Sequence, residues 1–264
     1  MRWSERRVLV TGASRGIGRA AAEGIAARGA TVVLAARAAS GLEEVARAIE
    51  AKGGRAERAV MDVSDDDSVE AAAREVLARG PVHVVVNNAG VFDQRPFLAQ
   101  PAETQRRELE VNYFGALRVT RALLPAMLER REGLVVNVSS MVGAIPCPTV
   151  ANYSASKAAL EAWTHALRGE VAGRGVQVMV FRPSHTDTEQ ARTTTTFDGV
   201  PMMTVEYTVG QLLRAIERRP RVFTVSPVFR LFVRLAAIFP AWGERQMARS
   251  TARRLREHEG GAAP

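Results

Sequence analysis

Tyr153 and Lys157 stand four residues apart in the run Tyr153-Ser154-Ala155-Ser156-Lys157. On a helix that spacing projects the phenol and the ammonium to the same side. A tyrosine titrates at about pH 10 in water, which makes it a poor proton donor or acceptor at neutral pH. A cation beside it favours the phenolate, so the pair is expected to bring the tyrosine toward the working range. Taken alone, the pattern is common on surface helices. The chain's use of cations sharpens it: of 36 Lys and Arg residues only Lys52 and Lys157 are lysine, and the other 34 are arginine. Where arginine is the default, this lysine marks a place for a compact charge with three donors. Thirteen residues before Tyr153 comes Ser140, just after the apolar run Leu134–Val138. A hydroxyl at the carboxyl end of a strand could hold a carbonyl oxygen beside the phenol. Ser139 competes for that role, or serves as a structural cap.

A second group of residues suits phosphate. Thr11-Gly12-Ala13-Ser14-Arg15-Gly16-Ile17-Gly18 follows one apolar run and opens a helical pattern. A dinucleotide pyrophosphate must approach main-chain N–H groups at a helix N-terminus, and side chains there would block it. The next apolar run ends at Ala35-Ala36-Arg37, where NAD-binding chains usually carry an acid for the ribose 2′-hydroxyl. Here Arg37 and Arg15 offer two planar donor forks, which suit a 2′-phosphate and point to NADP(H). Further on lie Met61-Asp62-Val63 and Asn87-Asn88-Ala89-Gly90.

The elements that must position these groups alternate. Strand-like runs cover Arg7–Thr11, Thr31–Ala35, Ala56–Met61, His83–Asn87, Gly133–Val138 and Val176–Phe181, with a weak seventh at Val222–Val225. Each is read as a continuous apolar run, the mark of a strand buried on both faces. Helical patterns cover Gly16–Arg28, Gly41–Ala51, Asp65–Ala78, Pro101–Arg130 and Asn152–Gly173. The alternation predicts an α/β fold: a single doubly wound Rossmann domain over 1–264, its parallel sheet of about seven strands flanked by helices.

In order and spacing these motifs resemble the short-chain dehydrogenase/reductases over roughly residues 7–190, in a branch that prefers NADP and has a C-terminal extension. The Gly-x-x-x-Gly-x-Gly turn, rather than Gly-x-Gly-x-x-Gly, is where the resemblance starts. It implies a catalytic group of Asn112, Ser140, Tyr153 and Lys157, with the spacing to Tyr153 favouring Ser140 over Ser139. It implies cofactor contacts from Gly12, Ser14, Arg15, Gly16, Ile17, Gly18, Arg37, Asp62, Val63, Asn88, Gly90, Tyr153, Lys157, Pro183, Thr186 and Thr188. Asp62 would contact the adenine, and Asn112 would hold a water linking Lys157 to solvent. The implied reaction moves a hydride between NADPH and a carbonyl carbon. Ser140 orients the oxygen and Tyr153 transfers the proton. Two readings stand beside a reductase of apolar or lipid-like ketones. One is a 3-oxoacyl-thioester reductase, against which the missing glycine-rich terminal strand argues. The other is an NADP-sensing protein without turnover, for which damage at Tyr153 or Lys157 would be expected.

The resemblance weakens after Arg182-Pro183-Ser184-His185-Thr186-Asp187-Thr188. Ser184 stands where the family has glycine, and Thr186 where it has an aliphatic residue. His185 reads as pocket-lining or solvent-facing. Residues 184–210 look like a substrate lid, in which Phe197, Met202 and Met203 hint at an apolar substrate. Residues 227–264 form a basic amphipathic helical extension. Arg221 to Arg256 hold eight arginines and one acid, Glu244. Such a helix can cover the pocket, pack on a second copy as a homodimer, or lie in a membrane interface.

The net charge of +8 is spread along the 264 residues, and no basic-aromatic motif suggests nucleic acid as a partner. A small carbonyl or alcohol is the expected partner, and no metal site is expected. With Cys147 the single cysteine, no apolar run of ~18–20 residues and no signal-like start, the reading is cytoplasmic, with peripheral membrane contact open.

Overall fold

The computed structural model describes residues 2–194 and 197–260. Its strands are β1 (Arg7–Thr11), β2 (Thr31–Ala36), β3 (Arg55–Val60), β4 (Val84–Asn87), β5 (Gly133–Val138), β6 (Val176–Arg182) and β7 (Val222–Thr224). The helices between them are α1 (Gly16–Ala26), α2 (Ala39–Glu50), α3 (Asp66–Ala78), α4 (Ala102–Leu109), α5 (Gly115–Glu129), α6 (Met141–Ala144), α7 (Ala151–Glu170), α8 (Glu189–Thr194) and α9 (Val205–Arg218). After β7 come α10 (Pro227–Ile238), α11 (Pro240–Ser250) and α12 (Ala252–Gly260).

All seven strands are parallel, in the order β3-β2-β1-β4-β5-β6-β7. The order reverses between β1 and β4, and ligands bind outside the carboxyl ends of strands at such a switch point. The period of two along a strand explains the apolar runs. Val8 and Val10 of β1 enter the core that α1, α2 and α9 cover, while Leu9 enters the core under α3 and α5. Both faces are dry, so the run between Arg7 and Thr11 is apolar throughout. The edge strand β3 departs from this expectation: in Arg-Ala-Glu-Arg-Ala-Val only Ala59 is buried, because one flank meets solvent.

The expected long helix Pro101–Arg130 is broken. Glu110–Phe114 makes a π turn between α4 and α5. Such a bulge inserts a residue and turns a side chain out of the ordinary helical face, a frequent device at functional sites. Here it buries Asn112.

A buried polar ladder sets the angle of α7 against the sheet. Asn87 Nδ2 donates to Asn137 Oδ1 (2.8 Å) and to Thr120 Oγ1 (3.0 Å). Asn137 Nδ2 donates to Thr164 Oγ1 (2.8 Å), which donates to the Leu160 carbonyl (2.6 Å). The chain joins β4, β5, α5 and α7 where an apolar core alone would let the helix slide. Asn137→Ala is expected to destabilise the protein by about 1–3 kcal/mol, since it strips partners from buried groups. A urea-unfolding midpoint that does not move would remove the ladder from this role.

Candidate active site

The turn after β1 is built by close approach. Gly12 and Gly16 have φ of +66° and +56°, a region that favours glycine. A Cβ on Gly18 would lie 2.2 Å from the Gly12 carbonyl oxygen and 2.5 Å from Asn88 Nδ2. The turn is tied to the end of β4: Thr11 Oγ1 accepts from the N–H groups of Asn88 and Ala89 (3.0 Å each), and Asn88 Nδ2 donates to the Thr11 carbonyl (2.9 Å). The result is an open cradle at the N-terminus of α1, with Ser14, Arg15, Ile17 and Arg37 on its rim. Thr188 faces it, 3.6 Å from where a Gly16 Cβ would be. A pyrophosphate fits such a cradle, and the two guanidinium groups suit a further phosphate.

Asp62 accepts from the N–H and hydroxyl of Ser64 (2.9 and 2.6 Å). Burial works to raise its pKa, but these bonds and the Arg37 charge hold the carboxyl below the ordinary value. It is thus a turn-forming acid that also lines the cavity. Val63 lies beside it, close against the backbone of Gly115.

The second wall is made by β5, α6 and α7. Ser140 is the extended N-cap of α6. Its hydroxyl faces the Tyr153 phenol closely enough to draw the phenol's pKa down. The Tyr153 ring meets Phe92 edge-on at 4.8 Å, and Lys157 Nζ stands 5.7 Å from its centroid. Lys157 Nζ donates to the Val138 carbonyl (2.9 Å). Ser139 also lines the cavity, but its hydroxyl is taken up by Glu161, donating to Oε1 (2.6 Å), and Arg182 grips that carboxylate with two nitrogens (2.8 and 2.5 Å). Asn112 sits behind the cavity. Its Oδ1 accepts from Val91 N–H (2.7 Å), and its Nδ2 donates to the Val91 carbonyl (2.9 Å) and Ser156 Oγ (3.1 Å). Gly90 fills the gap between Asn112 and Lys157 Nζ.

One expectation is overturned. Burial pushes the Tyr153 phenol up to about 12, against the pull of the Ser140 hydrogen bond. The same burial pulls Lys157 down to about 8, while Glu161 opposes the shift. The ammonium lies over the ring and is spent on a carbonyl, so desolvation outweighs any help it gives the phenolate. Glu108, buried under the loop after β4, is raised to about 7 by burial, and its charge adds to the rise at Tyr153.

The cavity measures about 880 Å³. Every residue assigned from sequence to the cofactor lines it, as do Ser140, Tyr153 and Lys157; Asn112 does not. Pro183, Ser184, His185 and Thr186 line it next to the catalytic wall. Ser184 adopts no positive φ. Thr186 is braced by the Ser184 carbonyl (2.9 Å) and Thr208 Oγ1 (3.1 Å). The lid hint is corrected in part. Phe197 lines the cavity, whereas Met203 forms a parallel bridge with Thr186 and Met202 is exposed.

Of the places open to the C-terminal extension, the structure puts its first helices over the cavity: Phe229 and Phe232 of α10 and Met247 of α11 make the outer wall, residues that sequence reasoning had not singled out for it. A third small core of Val142, Ile145, Cys147, Ala236 and Met247 holds these helices against α6. Sequence reasoning missed the pairing of Glu161 with Arg182. The signal was present: Glu161 follows Lys157 by four residues, on one helix face.

Lys157 bears a stability cost. With its folded pKa below the unfolded value of 10.5, the penalty is fully present below about pH 8 and fades as pH rises toward 10.5. Lys157→Met is therefore expected to be more stable than the parent at pH 7, by roughly 1–3 kcal/mol, with the gap closing by pH 10. Parallel melts at pH 7 and 10 check this; a gap that widens with pH would contradict it.

A family model described as short chain dehydrogenase matches residues 6–198. The cattle (Bos taurus) dehydrogenase/reductase SDR family member 7B is 34% identical over 268 aligned positions, covering 95% of this chain and 82% of that one. The Escherichia coli 3-oxoacyl-[acyl-carrier-protein] reductase FabG is 35% identical, over 73% of this chain and 78% of its own. A crystal structure of a short chain dehydrogenase from Burkholderia cenocepacia in complex with NADP superposes with a TM-score of 0.81 at 31% identity, covering 94% of this chain and 99% of that one. With the turn, the sheet and the Ser-Tyr-Lys wall in one cavity, these similarities mean that the chain belongs to the short-chain dehydrogenase family.

Proposed function

We propose that the chain is an NADP(H)-dependent carbonyl reductase for an apolar or lipid-like ketone or aldehyde. The observation that carries this reading is the meeting of Ser140, Tyr153 and Lys157 in the same cavity as the glycine cradle. Arg15 and Arg37 on the cradle's rim, with no acid at the end of β2, favour the phosphorylated dinucleotide. The related Burkholderia structure with NADP agrees.

The bound nicotinamide would supply the hydride. The chain's own residues do the rest. The Ser140 hydroxyl holds the carbonyl oxygen next to the phenol. A phenol held up to about 12 stays protonated at neutral pH and donates to that oxygen as negative charge grows on it. Lys157, near its own midpoint at about 8, restores the proton and positions the cofactor ribose. Asn112, held through Val91 and Ser156, keeps the π turn in place for a water that returns the proton to Lys157. The apolar walls from Phe92, Phe197, Phe229 and Phe232 favour a substrate with little polar surface. Residues 184–210 act as the lid, of which 195–196 lie outside the described residues. The 3-oxoacyl-thioester reading uses the same wall, and the likeness to FabG favours keeping it as a test arm.

NADPH oxidation at 340 nm (a wavelength set by the dinucleotide, not by this chain) against long-chain ketones, retinoid-like aldehydes and 3-oxoacyl thioesters is expected to show turnover. NADH should serve at least about tenfold less well, and Tyr153→Phe should lose roughly 10²–10⁴-fold. Tight NADPH binding without turnover of any compound would favour the cofactor-sensing reading.

The outer face of α10 supports a second partner. Val228, Leu231, Leu235, Ile238 and Phe239 are exposed on it, next to the exposed Arg230, Arg234 and Arg245. An isologous contact between two copies would bring arginine toward arginine, whereas an anionic bilayer satisfies both the apolar stripe and the charge. No helix of the described residues is long and apolar enough to cross a membrane, so this would be contact at the surface. Vesicles with 30% anionic lipid, a composition of about this order being enough for a strong surface potential, are expected to co-sediment the protein more than neutral vesicles do. Leu231→Glu with Ile238→Glu should abolish the difference. Concentration-dependent dimerisation lost in the same variant would assign the face to a homodimer instead.

A further inference from the structure

His185 lines the cavity beside the catalytic wall, and the proposed chemistry gives it no role. It follows β6 by three residues, beside the catalytic wall. Its backbone is pinned: the His185 carbonyl accepts from Met203 N–H (2.7 Å), and Asp187 N–H donates to the Met203 carbonyl (2.8 Å). Its ring stands edge-on to Phe197 at 5.3 Å, 87° between planes. Both Nδ1 and Nε2 are buried, and neither has a hydrogen-bond partner. Other described side chains in that condition, such as Asn87 and Asp93, use a second polar atom elsewhere and lie outside the cavity wall.

Burial lowers the pKa of His185 below the ordinary value, so the ring is neutral at pH 7. Asp187, the nearby carboxylate, is turned to Arg192 and held by two hydrogen bonds (2.5 and 2.8 Å). A neutral imidazole carries one donor and one acceptor. The Val200 carbonyl is the main-chain group that favours a proton on the ring edge facing it, though short of hydrogen-bond geometry. With neither nitrogen partnered within the protein, the acceptor nitrogen of the neutral ring is left unmet at the cavity wall. A buried acceptor without a donor is costly, and a ligand that brings a donor recovers that cost. A cationic donor would have to shed its water beside the Phe197 ring, so a neutral hydroxyl is favoured.

We infer that His185 is a specificity-determining residue that accepts a hydrogen bond from a hydroxyl group of the substrate, which makes the substrate class an apolar carbonyl compound bearing a hydroxyl away from the reacting carbon. The inference rests on the carbonyl-reductase reading for the reacting end. The hydroxyl subsite is a matter of binding and can be tested apart from turnover.

The test uses matched apolar ketones with and without one hydroxyl, at several distances from the carbonyl. Dissociation constants come from calorimetry on the full chain, with and without NADPH, and kcat and KM from NADPH oxidation. The parent is expected to bind the best hydroxyl-bearing ketone roughly tenfold more tightly than its deoxy partner. His185→Phe, which keeps an aromatic ring on Phe197, should bind both alike by weakening the hydroxyl compound alone. His185→Gln, which restores an acceptor, should recover part of the preference. Equal affinities across every pair in the parent, or a preference that survives in His185→Phe, would overturn the inference. So would an equal loss for both partners, which marks a packing role. A preference lost in His185→Phe without turnover of any ketone would keep the subsite and sink the reductase reading.

Discussion

A single ammonium group, that of Lys157, is sealed against the carboxyl edge of the sheet with one main-chain carbonyl as its direct partner. Taking such a charge out of water costs several kcal/mol unless surrounding dipoles and charges replace the solvent. Much of the site can be understood as that replacement. The Val138 carbonyl is presented because β5 ends there. Glu161 stands one turn further along α7, close enough to favour the charged lysine, and Arg182 and Ser139 hold that carboxylate in place. Gly143 allows α6 to close over the same helix, where a Cβ would meet Lys157 and Ser139 at 2.9 Å. The compensation is incomplete, and the lysine is left near its titration midpoint at about 8.

The same burial governs the tyrosine in the opposite sense. A phenol raised to about 12 is a weaker acid than free tyrosine, but it is fully protonated at neutral pH and so has its O–H to offer to an oxygen whose negative charge is still developing. Desolvation therefore separates two roles that a simple cation–phenol picture merges. The wall that removes the water comes in part from the chain's last helices. Phe232 packs on Trp242 at 5.2 Å, and Ala236 and Met247 join the small core beside α6. The extension thus belongs to the electrostatics of the site as much as to its shape.

Much of this was legible in the linear sequence because the constraint in each case is local. Apolar runs at strand length mark a sheet covered on both faces. A glycine turn between a strand and a helix marks a cradle, and Tyr153 and Lys157 share a face by helical spacing alone. Other features were not legible because they depend on what packs against a residue. The edge position of β3 let charged residues into a strand that was read as apolar. The π turn at Glu110–Phe114 is a register change within a continuous helical pattern. Asn87 and Asn137 look like ordinary strand residues until β4 and β5 are set side by side.

The sequence by itself determined the kind of fold, through the periodicity of its apolar runs, and the residues that meet in the cavity, through motifs that resemble those of a known family. Only the tertiary structure decided the protonation balance of Tyr153 and Lys157, the partners of Glu161, the closing of the cavity by α10 and α11, and the unpartnered nitrogens of His185. Each of these depends on how much water is excluded and which distant groups replace it, and that is a property of packing in three dimensions.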